Sequence, residues 1–191
     1  MKIPPWLPSL LGLLLIFATD LLSQQKQNAA PKVVDWGAMI PQIQAAVAGE
    51  YCGGPRDIDI IDTADLTGNE TTEALVDYCH EGAYMDLVAL IRLENGKPTV
   101  AKFRDEHGNA VDSSLMGGAS VMHGAETKLL AKEHAVVRLS WDSDQSDKFQ
   151  CGAIAYIWNS HSKTFDIDPN FSTDFVETEC RKIRKIQEQG K

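Results

Sequence analysis

The sequence lacks a basic surplus. Eighteen Lys and Arg stand against 27 Asp and Glu, a net charge of −9. Phosphate backbones are held by basic surfaces, so this balance argues against nucleic acid as a partner. It argues equally against adsorption to an anionic membrane face. The apolar runs are also short of the ~20 residues needed to span a bilayer. No Cys-x-x-Cys pair begins a thiolate metal site, and no His-x-His or His-Glu-x-x-His begins an imidazole one. No Gly-x-Ser-x-Gly marks a nucleophile elbow, and no glycine loop joins a strand to a helix as a phosphate cradle. Ser113, Ser114 and Ser120 lie near glycines, but no pattern pairs them with a base. These absences leave the chain with no marked enzymatic site. An acidic hydrolase site is not thereby removed, because its two carboxylates need only meet in space.

What is present first concerns compartment. Lys2 gives a short positive start, and Leu10 to Ala18 is an apolar core broken off by Asp20. This predicts a secretory signal peptide over residues 1–23, with an uncleaved N-terminal membrane anchor as the alternative. Residues 24–34 form a polar tether, 35–186 a single globular domain and 187–191 a polar tail. The mature domain is expected to be periplasmic or extracellular, without stable membrane insertion. Four cysteines follow the signal: Cys52, Cys79, Cys151 and Cys180. An even count in an exported chain predicts two disulfides, each contributing about 2–4 kcal/mol. Of the three pairings, the expected one joins Cys79 to Cys151 across the sheet and Cys52 to Cys180 between the helices.

Periodicity then orders the domain. Ile40, Ile43 and Val47 recur at helical spacing, with Pro41 in the first turn and Gly49 as a stop, so a short helix covers about 40–48. From Ile58 the period is two. Strands are predicted at 58–62, 73–79, 85–93, 99–104, 135–141, 149–158 and 164–168, with Asn95-Gly96 as a type I′ hairpin turn. Residues 110–134 are mixed: 120–123 reads as a strand and 126–133 as a strand or a helical turn. A C-terminal helix starts at the N-cap Asp174 and carries Val176, Cys180, Ile183 and Ile186 on one face. The fold class is α+β: an antiparallel meander of about six to eight strands with one short N-terminal and one C-terminal helix. The alternative is a β-sandwich.

The best-defined polar feature is the turn Asp65-Leu66-Thr67-Gly68-Asn69-Glu70-Thr71-Thr72-Glu73, followed by apolar Ala74-Leu75-Val76. It resembles the calcium-loop hairpin of FG-GAP and VCBS-type repeats, Asp-x-Asn-Gly-Asp-Gly-x-x-Asp/Glu before an apolar strand. The resemblance covers about 20 residues of 191. It implies Asp65, Thr67, Asn69 and Glu73 as oxygen ligands to Ca²⁺, with Asp62 as a further carboxylate. Gly68 matches. Glu70 stands where the repeats have glycine, and Thr67 and Asn69 are neutral, so the implied site has few of the charged oxygens Ca²⁺ prefers. The repeats belong to extracellular binding and adhesion modules.

The remaining candidates are dispersed. His107, His123 and His161 adjoin Gly or Ser in predicted turns, His134 stands apart, and His80 ends a strand where partners would have to come from elsewhere. Trp141, Tyr156 and Trp158 lie on neighbouring strands. They are expected in the core, or else as an aromatic platform for a sugar or peptide. The sequence therefore reads as an exported, disulfide-stabilised, non-enzymatic binding or interaction module for a protein or carbohydrate. A secreted hydrolase, or an inhibitor of one using a loop such as 105–118, is the alternative.

Overall fold

Apolar residues of both phases of the period-two strands are buried, so both faces of each sheet need cover. A computed structural model describes residues 32–50, 52, 57–81, 85–111, 113, 115–117, 123–143 and 149–189. The expected signal peptide, 1–23, and the expected tether as far as residue 31 lie outside the described residues. Helix α1 (Ile40–Ala46) is flanked by 3₁₀ turns at Gly37–Met39 and Val47–Gly49. The strands are β1 (Asp59–Ala64), β2 (Glu73–Glu81), β3 (Met85–Glu94), β4 (Lys97–Val100), β5 (Phe103–Arg104), β6 (Ala110–Val111), β7 (Leu115–Gly117), β8 (His123–Leu130), β9 (Ala135–Ser143), β10 (Phe149–Asn159) and β11 (Thr164–Ile167). Helix α2 (Thr173–Gln189) follows.

The strands do not form one meander. They divide into a five-stranded sheet in the order β1-β2-β3-β4, with β7 also on β3, and a six-stranded sheet in the order β6-β5-β11-β10-β9-β8. All pairs are antiparallel except β5 with β11. The two sheets face each other across Leu75, Val88, Leu90, Phe103, Val136, Tyr156 and Phe165. Outward-pointing Ala74, Val76, Tyr78, Ala89 and Ile91 pack under Trp36, Ile43 and Val47 of the N-terminal segment. Outward-pointing Ala135, Val137, Leu139 and Ala155 pack under Ile183 of α2. The result is four layers: helix, sheet, sheet, helix. Each large apolar side chain removed from water here contributes about 1.5–3 kcal/mol.

The predicted strand 99–104 is cut in two. Val100 ends β4 in the first sheet and Phe103 begins β5 in the second. Ala101 N–H still bonds Leu90 O, while Lys102 O already accepts from Phe165 N–H. Ala101 and Phe103 are both buried, so the alternation runs unbroken through a change of sheet. At the Asn95-Gly96 turn, φ is 53° and 77°, as the type I′ reading requires. Helix α2 is capped two residues earlier than expected: Ser172 Oγ accepts from Phe175 N–H, and Asp174 sits inside the first turn. Ile186 is not on the buried face but is 67% exposed, and Glu179 is buried in that stripe instead.

The disulfides are Cys52–Cys79 and Cys151–Cys180, with Cα–Cα distances of 5.6 and 5.7 Å. All four cysteines are therefore paired, but not in the expected pairing. Cys79 faces α1 and Cys151 faces α2. These are the two opposite outer faces of the sandwich, so Cys79 and Cys151 cannot meet. Each bridge instead fastens one outer layer to the sheet it covers. The aromatic platform is also absent: Tyr156 and Trp158 point between the sheets and pack on Phe103 and Phe165, while Trp141 lies on the opposite face.

Candidate functional site at the acidic end of the first sheet

The Asp65–Glu73 turn joins β1 to β2 and is held by its own side chains. Asp65 Oδ1 accepts from Gly68 N–H at 2.8 Å and Oδ2 from Glu70 N–H at 3.2 Å. Asn69 Oδ1 accepts from Thr71 N–H at 2.8 Å. Glu73 is 2% exposed. Its carboxylate accepts from Leu66 N–H at 2.8 Å and from the Thr67 hydroxyl at 2.9 Å. Burial raises the Glu73 pKa above its ordinary value, against the lowering effect of those two bonds. Asp62 lies on β1, exposed, and its carboxylate accepts from Thr63 N–H at 2.8 Å. The structure thus brings Asp65, Thr67, Asn69 and Glu73 into one turn and leaves Asp62 outside it. Gly68 (φ 67°) and Glu70 (φ 64°) are both left-handed.

The turn is also a seam between the sheets. His134, from the β8–β9 turn, donates from Nδ1 to Leu66 O at 3.2 Å. Arg92, on β3 beside Glu73, stacks on Trp158 of the second sheet at 4.3 Å and donates to Lys163 O. On the other side, Thr72 Oγ1 accepts from the Trp36 indole N–H at 3.4 Å.

A second polar cluster lies at the far end of β2 and β3. The β2–β3 register slips between Asp77 and Cys79, a β-bulge. Tyr78 and Cys79 consequently both face α1. That turns Asp77 and His80, three residues apart, onto the same inner face, where an unbroken strand would put them on opposite faces. His80 is the register partner of Asp86 on β3, and Asp77 is the register partner of Asp59 on β1. His80 Nδ1 lies 2.6 Å from Asp86 Oδ1 and 3.9 Å from Asp77 Oδ2. Asp77 is largely covered, whereas His80 and Asp86 are partly open to solvent. Burial, then the charge of Asp86, raises the Asp77 pKa. The hydrogen bond to Asp86, then the charge of Asp77, raises that of His80, with Asp57 adding to it. Among the described residues this is the group of three metal-ligating side chains whose donor atoms lie within 4.8 Å of one another.

The sequence singled out His80 but not its partners. The Asp77-x-x-His80 spacing carries no signal in a regular strand, and only the bulge makes it one. Asp86 belongs to the next strand, and its register follows from a reversal that no motif marks. No protein-family model, no curated protein and no solved structure matches the chain. No helix among the described residues is long and apolar enough to cross a membrane. The two disulfides fit a domain stabilised for an oxidising, exported environment.

Proposed function

We propose that this is an exported, non-enzymatic binding domain that takes a positively charged group at the acidic inner end of the first sheet. The observation that carries the reading is the β2 bulge, which gathers Asp77, His80 and Asp86 onto one face with Asp59 alongside. Carboxylates from two neighbouring strands flank one imidazole, with a third on β1. Burial and the charge of Asp86 raise the proton affinity of Asp77, and the bond to Asp86 and the charge of Asp77 raise that of His80. A field of that sign attracts cations and weakens as salt is added. The test is a binding panel of spermine, an oligolysine peptide and divalent cations on wild type and on a D77N/D86N variant. At least one cation class should bind wild type, lose affinity in the double variant and weaken with ionic strength. If none discriminates the two proteins, the reading is wrong.

A second reading concerns the Asp65–Glu73 turn as a Ca²⁺ loop. What supports it is the left-handed backbone at Gly68 and at Glu70, the second being the position where the FG-GAP and VCBS-type repeats have glycine. An ion there competes with the loop's own N–H groups for Asp65 and Glu73. Calorimetry decides it: identical melting curves in millimolar Ca²⁺ and in chelator would end this reading.

A further inference from the structure

We infer that Asp77, His80 and Asp86 form a site for one divalent transition-metal ion, with Zn²⁺ as its working probe. The inference deepens the reading just given and rests on it. Its first support is the donor set. One imidazole nitrogen and two carboxylate oxygens lie within 4.8 Å of one another. Ligands at about 2.0–2.1 Å from a tetrahedral ion are roughly 3.4 Å apart. The His80–Asp86 separation of 2.6 Å has to open and the His80–Asp77 separation of 3.9 Å to close, each by under about 1 Å. Side-chain rotation supplies such changes without moving the strands.

The second support is the platform. All three residues stand on paired strands, and a site on strands is held more closely than one on a loop. The bulge that aims Asp77 is itself pinned, because Cys79, its last residue, is bonded to Cys52. The third is access. Gly117 is the register partner of Asp86 and projects no side chain beside it. His80 and Asp86 are partly open, so further coordination positions can be filled by water or by a ligand of the ion. The fourth is metal preference. An imidazole donor favours Zn²⁺, Co²⁺, Ni²⁺ or Cu²⁺ over Ca²⁺ and Mg²⁺, which prefer oxygen alone. This separates the site from the oxygen-only turn at Asp65–Glu73.

The test titrates the full mature chain with Zn²⁺ against a chromogenic chelator and records the visible spectrum with Co²⁺. Wild type should bind one equivalent, and the Co²⁺ bands should show a nitrogen and oxygen set. H80Q and D86N should each weaken binding by roughly tenfold or more, with unchanged circular dichroism. H123Q should leave binding intact, although His123 also lies beside a carboxylate, 3.0 Å from Asp142. Millimolar Ca²⁺ should not displace the ion. The inference is overturned if wild type does not compete with the chelator, or if H80Q binds as well as wild type. If spermine or oligolysine still binds in an Asp77- and Asp86-dependent way while Zn²⁺ does not, the metal falls and the cation-binding reading stands. If neither binds, both fall.

Discussion

Glu73 is the most consequential single residue described. Its two oxygens hold Leu66 N–H and the Thr67 hydroxyl in a nearly dry site. Glu73→Ala strands both donors, and a loss of about 2–4 kcal/mol in chemical denaturation is expected. The residue also has a pH signature. Its folded-state pKa is raised above the ordinary 4.5, so the native chain binds that proton more tightly than the unfolded one. The stability it contributes is greatest with the proton on, and declines as pH rises through the window between 4.5 and the raised value. Glu73→Gln has no such proton. The variant should therefore gain on wild type as pH climbs through that window, and a stability difference that stays flat between about pH 4 and 7 would refute this. Glu73 was legible in the sequence as an oxygen donor at the end of a turn. That its bonds go to Leu66 and Thr67 was not legible, because the chain must close on itself before those donors have a direction.

At the scale of elements, β8 and β9 fit closely. Gly124 is opposite Trp141, and a Cβ on Gly124 would lie 2.2 Å from the indole ring. Gly124→Ala must displace the ring from the face it shares with α2. A cost of about 2–3 kcal/mol in the denaturation midpoint is expected, and an unchanged midpoint would contradict this packing. The joint between α2 and the second sheet is ionic as well as apolar. Lys128 of β8 and Lys182 of α2 both bond the buried Glu179, with Lys128 at 2.7 Å. The bond to Lys128, then that to Lys182, holds the Glu179 carboxyl below its ordinary pKa. Its contribution is thus present above the unfolded value of about 4.5 and disappears as pH falls through the folded one. Glu179→Gln should flatten the acid limb of the stability curve, read by urea denaturation below about pH 5. Element positions were largely readable from the pattern: β3, β9, β10 and the Asn95-Gly96 turn fall where period two and turn chemistry put them. The change of sheet at Ala101 was not, since both sheets want an apolar residue at the same phase. Nor was the bulge at Tyr78, on which the proposed site depends: Asp-Tyr-Cys-His carries no mark of an extra residue.

For the whole molecule, the decisive feature is that both bridges stay local. Cys52–Cys79 spans 27 residues and Cys151–Cys180 spans 29. Replacing either pair by serine should cost about 3–4 kcal/mol by release of the unfolded chain, and peptide mapping without reductant should recover only these two pairings. Four cysteines behind a signal-like apolar start made the number of bridges legible. The partners were not, because the choice depends on which sheet face each strand cysteine occupies, and that is settled only when the helices are assigned to opposite outer layers.

The pairing is also consecutive: first cysteine with second, third with fourth. A chain entering an oxidising compartment from its N-terminus presents Cys79 while Cys151 and Cys180 are still behind. The first bridge has then only one partner available, and it is the native one. When Cys180 emerges, Cys151 is the only thiol left. Order of arrival does the work that disulfide shuffling does in chains with interlaced bridges, so this protein should mature in a host that has a thiol oxidase and no isomerase.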